Sequence, residues 1–175
     1  TNPYSSSKAI GSLVHLAYGN TYPELEGRVV EVRPCNAFGP RQDSRKILPQ
    51  IKKALTEGHS IPLHYEGKGY REYLYVKNIP PAIELLLEKG TGAYNLTNND
   101  GFTVRELIEK VEMLSGQPIA THPGHRSGMD LCYMVDSSRI RELGWEPVYS
   151  FEEGINEYLG LPEKVPHSIS RGERE

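Results

Sequence analysis

The chain has 175 residues, of which 37% are hydrophobic and 25% are charged, a balance typical of a compact folded domain and not of a disordered chain. The formal net charge is −3, with basic residues scattered among acids, so the composition offers no basic surface for nucleic acid. No apolar run approaches a membrane span, and no membrane partner is expected. Cys35 and Cys132 lack the spacing of zinc ligands or of a disulfide framework, so we expect no metal site and a reducing, cytoplasmic location.

The first predicted element is a helix over about residues 2–19. Asn2 is a typical helix cap, Pro3 suits the first turn, and helical periodicity follows. A helix start with nothing ahead of it leads us to expect that the chain begins inside a larger protein. The helix has an apolar face and a second face, each with steps of three and four residues. The apolar face holds Ile10, Leu13, Val14 and Ala17, and the second holds Tyr4, Lys8, Gly11 and His15.

A valine-rich run over residues 28–33 predicts a buried strand that ends at Pro34. Such a strand needs neighbours on both sides, and these are hard to find in this chain. Residues 35–44 are predicted as a loop because Gly39-Pro40 is a turn signal. The elements that follow are a helix over about 45–57 that stops at Gly58, and two strands, 61–65 and 71–76, predicted to form a small sheet outside the main one.

The second half of the chain also mixes helices and strands. Asn78 is predicted to cap a helix whose apolar residues Ile83, Leu86 and Leu87 face inward. The remaining predictions are a strand over 92–97, a helix over 103–114, an extended stretch over 118–123, a short helix over 137–143, a helix over 151–159 and a polar tail from 162.

The candidate catalytic pair is Tyr4-x-x-x-Lys8 at the start of the first helix. A tyrosine, with a free pKa of about 10, transfers protons poorly near neutrality unless a positive charge favours its phenolate. Lys8, one helical turn further on, supplies that charge and can donate to the ribose hydroxyls of a cofactor. The pair therefore suits proton transfer at a sugar hydroxyl whose carbon loses or gains hydride. The alternative is a surface tyrosine and lysine on an amphipathic helix.

The sequence around this pair resembles the active-site helix of extended short-chain dehydrogenases. Further segments resemble that family in the family's own order, and together they cover nearly all of the chain up to Leu159. The segments are PYSSSK (3–8), RPCNAFGPRQ (33–42), RKILP (45–49), GKGYREYLYV (67–76), YNL (94–96) and RIRELGWEP (139–147).

The resemblance implies an α/β fold: the C-terminal part of a Rossmann-type, doubly wound parallel sheet plus a small α/β domain that binds a nucleotide diphosphate sugar. It assigns residues 1–44 to the end of the dinucleotide-binding domain. Residues 45–160 form mainly the nucleotide-sugar-binding domain, with some strands returning to the Rossmann sheet, and 161–175 form a polar tail. The implied cofactor is NAD.

The resemblance also implies roles for individual residues. Tyr4 and Lys8 would contact the cofactor as well as the substrate, and backbone groups of Pro34 and Cys35 would meet the nicotinamide amide. The implied substrate ligands are Asn36, Arg71 and Arg126 for the diphosphate, Lys46 as a further substrate contact, and His64 against the nucleobase.

Most of these residues also have a simpler interpretation. Arg71 would then form a surface ion pair with Glu66 or Glu72. The corresponding alternatives are a solvated side chain for Lys46 and Arg126, a plain strand histidine for His64, and an inert loop thiol for Cys35.

The chain departs from the family in several places. No G-x-x-G-x-x-G follows a strand, so the turn that cradles a pyrophosphate is missing. Also missing are the Ser or Thr that partners the tyrosine and the acid and base that relatives place beside it. Asn78 stands where relatives usually carry aspartate, and Met129 and Cys132 replace polar or basic residues. We therefore expect this chain alone to be inactive.

The expected function of the intact protein is that of an NAD-dependent nucleotide-sugar 4,6-dehydratase, which moves hydride from sugar C4 and eliminates water across C5 and C6. A 4-epimerase of the same family is the alternative, because residues 36–43 resemble epimerase loops equally well. An alternative of another class is a non-catalytic fragment that only binds nucleotide sugar or a partner chain. A homodimer through the Tyr4 helix is also expected.

Overall fold

The computed structural model describes residues 3–128 and 130–161, in which helices and strands are mixed along the chain. The predicted cap Asn2, the substituted position Met129 and the predicted tail from 162 lie outside these residues. The helices are α1 (Pro3–Thr21), α2 (Ile47–Glu57), α3 (Ile79–Lys89), α4 (Val104–Ser115), α5 (Ser138–Arg141) and α6 (Phe151–Leu159). The strands are β1 (Val30–Pro34), β2 (Asn36–Phe38), β3 (Ile61–His64), β4 (Tyr70–Tyr75), β5 (Gly92–Leu96), β6 (Gly101–Thr103), β7 (Thr121–Gly124) and β8 (Cys132–Tyr133).

The predicted helices are all present in the described residues, because their start and stop signals act locally. Gly58 and Gly116 end α2 and α4 in the left-handed conformation, with φ of 70° and 69°. Thr103 and Ser150 begin α4 and α6, and each side chain accepts a hydrogen bond from the backbone N–H three residues on. The observed bounds of α6 coincide with the predicted range 151–159.

Helix α1 lies largely on the surface of the described structure. None of the residues Pro3–Thr21 is buried, and Ile10, Leu13 and Val14 on its predicted apolar face are 59%, 64% and 49% exposed. Among the described residues no helix combines the length and apolar character that crossing a bilayer requires. The apolar face of α1 is therefore uncovered in this chain.

Strand β1 pairs in parallel with β5, with Val30 opposite Gly92 and Pro34 opposite Leu96. Val30 and Val32 are only half-buried, so the predicted burial of this strand was wrong. Among the described residues β5 is the one strand paired with β1. The second edge of β1 thus lacks the neighbour that makes a parallel strand fully buried.

The predicted small sheet of strands 61–65 and 71–76 was also wrong, since the two strands belong to different sheets. Strand β3 pairs in parallel with β7, whereas β4 pairs with β2, β6 and β8. Strand β2 lies inside the segment predicted as a loop. A hydrophobic period of two indicates a strand but not its partner, because partners here are up to about sixty residues apart in sequence.

Strand β4 separates two hydrophobic cores. The rings of Tyr73 and Tyr75 lie in one cluster with Phe38 and Phe151, and the Phe38 and Tyr75 ring centroids are 5.2 Å apart. Leu74, between the two tyrosines, is buried in the other cluster together with Leu86. The alternation of side chains along a strand sends neighbouring residues to opposite faces, so β4 contributes to both cores.

Helix α3 faces the core with a different stripe from the one predicted. Ala82 and Leu86 are buried, whereas Ile83 is 41% and Leu87 is 80% exposed. The prediction was right for Leu86 and wrong for the other two. Ala82 and Leu86 are four residues apart and therefore lie on the same face of the helix. Ile83 and Leu87, each one residue further on, lie on a face turned toward solvent.

Asn78 precedes α3, but its side chain does not cap the helix as predicted. The residue is fully buried, and its amide nitrogen donates to the carbonyl oxygens of Tyr149 (2.8 Å) and of the Asn98 side chain (3.2 Å). Its carbonyl oxygen accepts the backbone N–H of Tyr149 at 2.8 Å. The side chain therefore joins the start of α3 to the segment that leads into α6.

We expect the substitution Asn78→Ala to lower the free energy of unfolding by about 1–3 kcal/mol, because the Tyr149 N–H loses its hydrogen-bond acceptor. Urea denaturation of the two proteins measures the difference. Leu87→Ala on the same helix is the control, with an expected change below about 0.5 kcal/mol because the side chain is exposed. Equal effects of the two substitutions would contradict this role of Asn78.

Candidate active site

The predicted catalytic pair lies at the start of α1. The Lys8 ammonium is 5.5 Å from the centroid of the Tyr4 ring, within the range of a cation–π interaction, and both side chains are exposed. The helical spacing of four residues brings the charge to the ring, as predicted. The pair is open to a ligand approaching this end of the helix.

A charged cluster joins α1 to β1. The Glu31 carboxylate accepts hydrogen bonds from Ser12 Oγ at 2.5 Å, from Arg33 Nε at 2.8 Å and from Arg33 Nη2 at 2.9 Å. The Nδ1 of His15 lies 3.3 Å from the second carboxylate oxygen. We call these four residues, Ser12, His15, Glu31 and Arg33, the Glu31 clasp. It is the main polar link between the helix of the catalytic pair and the sheet.

The charge on Glu31 is strongly stabilised. Hydrogen bonds from Arg33, with those from Ser12 and His15, lower its pKa from 4.5 to about 2 against the opposing effect of partial burial. The same ion pair raises the pKa of Arg33. Sequence reasoning missed this clasp. The spacing of Glu31 and Arg33 puts both on one face of a strand, but nothing in that spacing identifies Ser12 and His15 as partners.

The end of β1 carries the residues assigned to the cofactor. Pro34 is exposed, whereas Cys35 is buried, and its N–H donates to the Leu96 carbonyl at 2.9 Å. A contact of Cys35 with nicotinamide would therefore use its carbonyl oxygen, and both roles stay predictions. Burial raises the pKa of the Cys35 thiol to about 12, so it is protonated and unreactive near neutrality. Tyr4, Lys8 and Pro34 have the exposure that cofactor contacts require.

Asn36 and Arg71, two of the predicted diphosphate ligands, lie on adjacent strands. Asn36 pairs with Tyr73, and its side-chain nitrogen donates to the Glu72 carbonyl at 2.9 Å. Arg71 donates to the carbonyl oxygens of Tyr70 and Asp130. These contacts fix both side chains on the β2–β4 pair.

The alternative ion pairs of Arg71 are not formed, because both carboxylates have other partners. Glu66 pairs with Lys68 at 2.6 Å, and buried Glu72 accepts the backbone N–H of Val135 at 2.9 Å. Arg71 uses two of its five N–H donors for carbonyl groups, which leaves donors for an anion.

Arg126 lines a cavity of about 390 Å³. Residues of the paired strands β3 and β7 line the same cavity. The wall also contains polar and aromatic side chains from the turn after β3 and from the start of α4. The residues that give the cavity its chemical character are Tyr65, Glu66, Arg105, His122, His125 and Arg126. The predicted nucleobase contact His64 is adjacent to this wall in the chain and is not part of it. Lys46 is exposed, just before α2.

The parallel pairing of β1 with β5, the helix with a Tyr-x-x-x-Lys pair and the cavity lined by two arginines agree with the extended short-chain dehydrogenase class that the sequence resembles. A sequence model of the GDP-mannose 4,6 dehydratase family matches residues 1–158, and the chain belongs to this family. The predicted family and the predicted α/β fold, the C-terminal part of a Rossmann-type sheet with a substrate-binding part, are confirmed by the comparisons with known proteins.

The relatives include dehydratases and epimerases. The dTDP-glucose 4,6-dehydratase of Streptomyces griseus is 34% identical over 160 residues, which are 88% of this chain and 48% of that protein. Low-salt glycan biosynthesis protein Agl12 of Haloferax volcanii is 32% identical over 167 residues, 91% of this chain and 53% of that protein. The chain therefore spans about half the length of these relatives.

Solved structures agree with this picture. The dTDP-glucose 4,6-dehydratase of Bacillus anthracis in complex with NAD superposes with a TM-score of 0.83 and 32% identity, over 91% of this chain and 51% of that chain. The UDP-glucose 4-epimerase of Thermus thermophilus in complex with NAD reaches a TM-score of 0.82 at 26% identity, over 91% and 53% of the two chains. Backbone geometry does not distinguish the two activities.

We expect Glu31→Gln to loosen α1, because an amide binds Arg33 and Ser12 more weakly than a carboxylate does. Hydrogen exchange followed by mass spectrometry should show faster exchange over Pro3–Thr21, with α4 unchanged. Glu24→Gln, an exposed acid just after α1, is the matched control and should leave exchange in α1 unaltered. Unchanged exchange in Glu31→Gln would show that the clasp does not hold the helix.

The contribution of Glu31 to stability should also depend on pH. Its pKa is lower in the folded protein than its ordinary value of 4.5, so this contribution is complete above pH 4.5 and is lost as pH falls toward about 2. The difference in melting temperature between wild type and Glu31→Gln should therefore shrink between pH 5 and pH 2. A difference that grows toward acid pH would contradict the assigned cause.

Proposed function

We propose that the protein is an NAD-dependent nucleotide-sugar 4,6-dehydratase and that this chain supplies the C-terminal half of its active site. The observation that carries the proposal is the Glu31 clasp, which holds the helix with Tyr4 and Lys8 against the strand that ends at Pro34. It ties a proton-transfer pair to the residues assigned to cofactor and diphosphate. The identity with dTDP-glucose 4,6-dehydratases supports the reaction class.

In this proposal, bound NAD supplies a reversible hydride acceptor for the substrate. The Tyr4 phenolate takes the proton of the sugar C4 hydroxyl, and the Lys8 ammonium beside the ring stabilises the phenolate. Lys8 also donates to the cofactor ribose, and Pro34 and Cys35 offer backbone groups to the nicotinamide amide. The acid and base for removing water across C5 and C6 would come from polypeptide other than this chain.

The nucleotide diphosphate sugar is bound by polar residues of the C-terminal part. Asn36 and Arg71, on neighbouring strands, are the proposed diphosphate ligands, together with Arg126 on the cavity wall. Lys46, exposed before α2, is a proposed further substrate contact. The cavity beside His64 is the proposed nucleobase site.

A 4-epimerase remains the second candidate, favoured by the TM-score of 0.82 with a solved UDP-glucose 4-epimerase. The products separate the two reactions: a dehydratase yields a keto sugar lighter by one water, and an epimerase yields an isomer of unchanged mass. A non-catalytic nucleotide-sugar-binding chain would bind the substrate and return it unaltered. Because Cys35 and Cys132 are free thiols, we also propose a reducing, cytoplasmic location.

Tyr4→Phe in the complete protein should reduce kcat by about 10²–10⁴-fold, because the phenol oxygen that accepts the proton is removed. Mass spectrometry of products from dTDP-, UDP- and GDP-glucose, with NAD present, measures the loss of water. Tyr22→Phe, a second exposed tyrosine at the far end of α1, is the control and should keep full activity. Unaltered turnover in Tyr4→Phe would refute the proposed role of this residue.

We also propose that the exposed apolar face of α1 forms a homodimer interface. Replacing Leu13, which is 64% exposed, by aspartate should convert the dimer to a monomer, because the carboxylate would be desolvated between the subunits. Light scattering measures the mass. Leu87→Asp on α3, at a leucine that is 80% exposed, should leave the dimer intact. A wild-type protein that is monomeric at high concentration would exclude this interface.

A further inference from the structure

The segment that contains β8, residues 130–135, lies on the surface and has little packing of its own. Residues 130–134 are all exposed, and two of them, Leu131 and Met134, are apolar side chains that are 57% and 62% exposed. Val135 packs, partly buried, against a hydrophobic core. We call residues 130–135 the β8 segment. Hydrophobic packing therefore does little to fix its position.

Polar contacts with the first residues of β4 hold the β8 segment instead. The Tyr70 N–H donates to the Leu131 carbonyl at 2.8 Å, and the two strands pair in parallel with Tyr70 opposite Cys132. At the other end, the Val135 N–H donates to a carboxyl oxygen of Glu72 at 2.9 Å. The segment is thus attached near both of its ends to one short stretch of β4.

Glu72 is an unusual residue for its position in β4. Its side chain is on the same face of the strand as Leu74, which is fully buried in a hydrophobic core, and Glu72 itself is only 6% exposed. Burying a carboxyl group is unfavourable unless hydrogen bonds compensate, whereas an apolar side chain here would extend the core. The compensating hydrogen bond comes from the Val135 N–H. This contact explains why the strand carries an acid at this position.

Arg71 contacts the other end of the same segment. Alternation along β4 sends its side chain to the face opposite Glu72. The guanidinium donates to the Tyr70 carbonyl at 2.6 Å and to the Asp130 carbonyl, at the start of the β8 segment. The Asp130 carbonyl therefore helps to set the direction of the remaining N–H donors. An arginine that is oriented before a ligand arrives loses less conformational entropy on binding, and this raises the affinity.

We propose that Glu72 is a positioning residue for diphosphate binding. By holding the β8 segment at Val135, it keeps the Asp130 carbonyl where that oxygen orients Arg71. This inference rests on the proposed function, since it requires Arg71 to bind the diphosphate of the substrate. Coupling between two binding equilibria is reciprocal, so a diphosphate bound to Arg71 should also stabilise the β8 segment.

A double-mutant cycle on the complete protein tests the proposal, with inorganic pyrophosphate as the ligand and calorimetric titration as the measurement. Glu72→Leu should weaken pyrophosphate binding about tenfold, because the β8 segment loses its contact at Val135. In an Arg71→Ala background the same change should have no further effect, because the oriented guanidinium is already absent. Glu72→Gln should retain the affinity, since its amide oxygen can still accept the Val135 N–H.

Glu112→Leu is the matched control for Glu72→Leu. Glu112 is partly buried, and its carboxylate accepts the Ile119 N–H at 2.6 Å. The control therefore also replaces a glutamate by leucine and removes the acceptor of a backbone N–H. Pyrophosphate affinity should be unaltered in this variant, because Glu112 does not contact the β8 segment or Arg71.

Hydrogen exchange followed by mass spectrometry tests the reverse direction of the coupling. It needs no substitution at Glu72, so it applies even if Glu72→Leu does not fold. Saturating pyrophosphate should slow exchange over residues 130–135 in the wild-type protein and leave it unchanged in Arg71→Ala. Exchange in the wild-type protein that does not respond to pyrophosphate would contradict the coupling.

Equal losses of affinity from Glu72→Leu in both backgrounds would show that Glu72 acts on the fold as a whole, and would overturn the proposal. An affinity of Glu72→Leu within about twofold of wild type would do the same. If Arg71→Ala binds pyrophosphate as tightly as wild type, Arg71 is not a diphosphate ligand, and this inference fails while the proposed function stands. A wild-type protein that binds neither pyrophosphate nor dTDP would refute the proposed function itself.

Discussion

The alternation of side chains along strand β4 is the constraint on which the remaining architecture depends. Tyr73 and Tyr75 pack into one hydrophobic core and Leu74 into the other, so a shift of register by one residue would exchange the two cores. The same strand carries Arg71 and accepts a hydrogen bond from Asn36 at the Glu72 carbonyl. The register that buries Tyr73 and Tyr75 in one core and Leu74 in the other also fixes the pairing of β4 with β2. The proposed diphosphate ligands Asn36 and Arg71 lie on these two strands.

A second constraint is electrostatic and acts on the helix that carries Tyr4 and Lys8. Because no residue of α1 is buried, hydrophobic packing within this chain does not hold the helix in place. The Glu31 clasp holds the helix by polar contacts instead of hydrophobic packing, and hydrogen bonds from Arg33 favour the charged form of the Glu31 carboxylate. A helix held mainly by polar contacts at one strand can be oriented accurately while its apolar face remains available to another surface.

Strand β1 and helix α1 both leave surface uncovered among the described residues. The chain spans about half the length of its relatives. In the proposed complete enzyme, further polypeptide would cover the free edge of β1, and a second subunit would cover the apolar face of α1. The C-terminal part, by contrast, has its own cores around β4, and its cavity is formed by described residues of β3, β7 and α4. In the proposed enzyme, this chain would thus contain most of the sugar-nucleotide site, whereas catalysis would require further polypeptide.

Local signals in the sequence were sufficient to predict the helices, their glycine stops, most of the strands, the Tyr4–Lys8 spacing and the family. Caps, turns and helical spacing act over a few residues, and motifs retain their order regardless of packing. The partners of β3 and β4, the polar contacts of Asn78, the Glu31 clasp and the position of Tyr65 instead of His64 on the cavity wall could not be predicted in this way. Each depends on residues distant in the chain meeting in one register, and a hydrophobic pattern specifies which face of an element is buried without specifying what it meets.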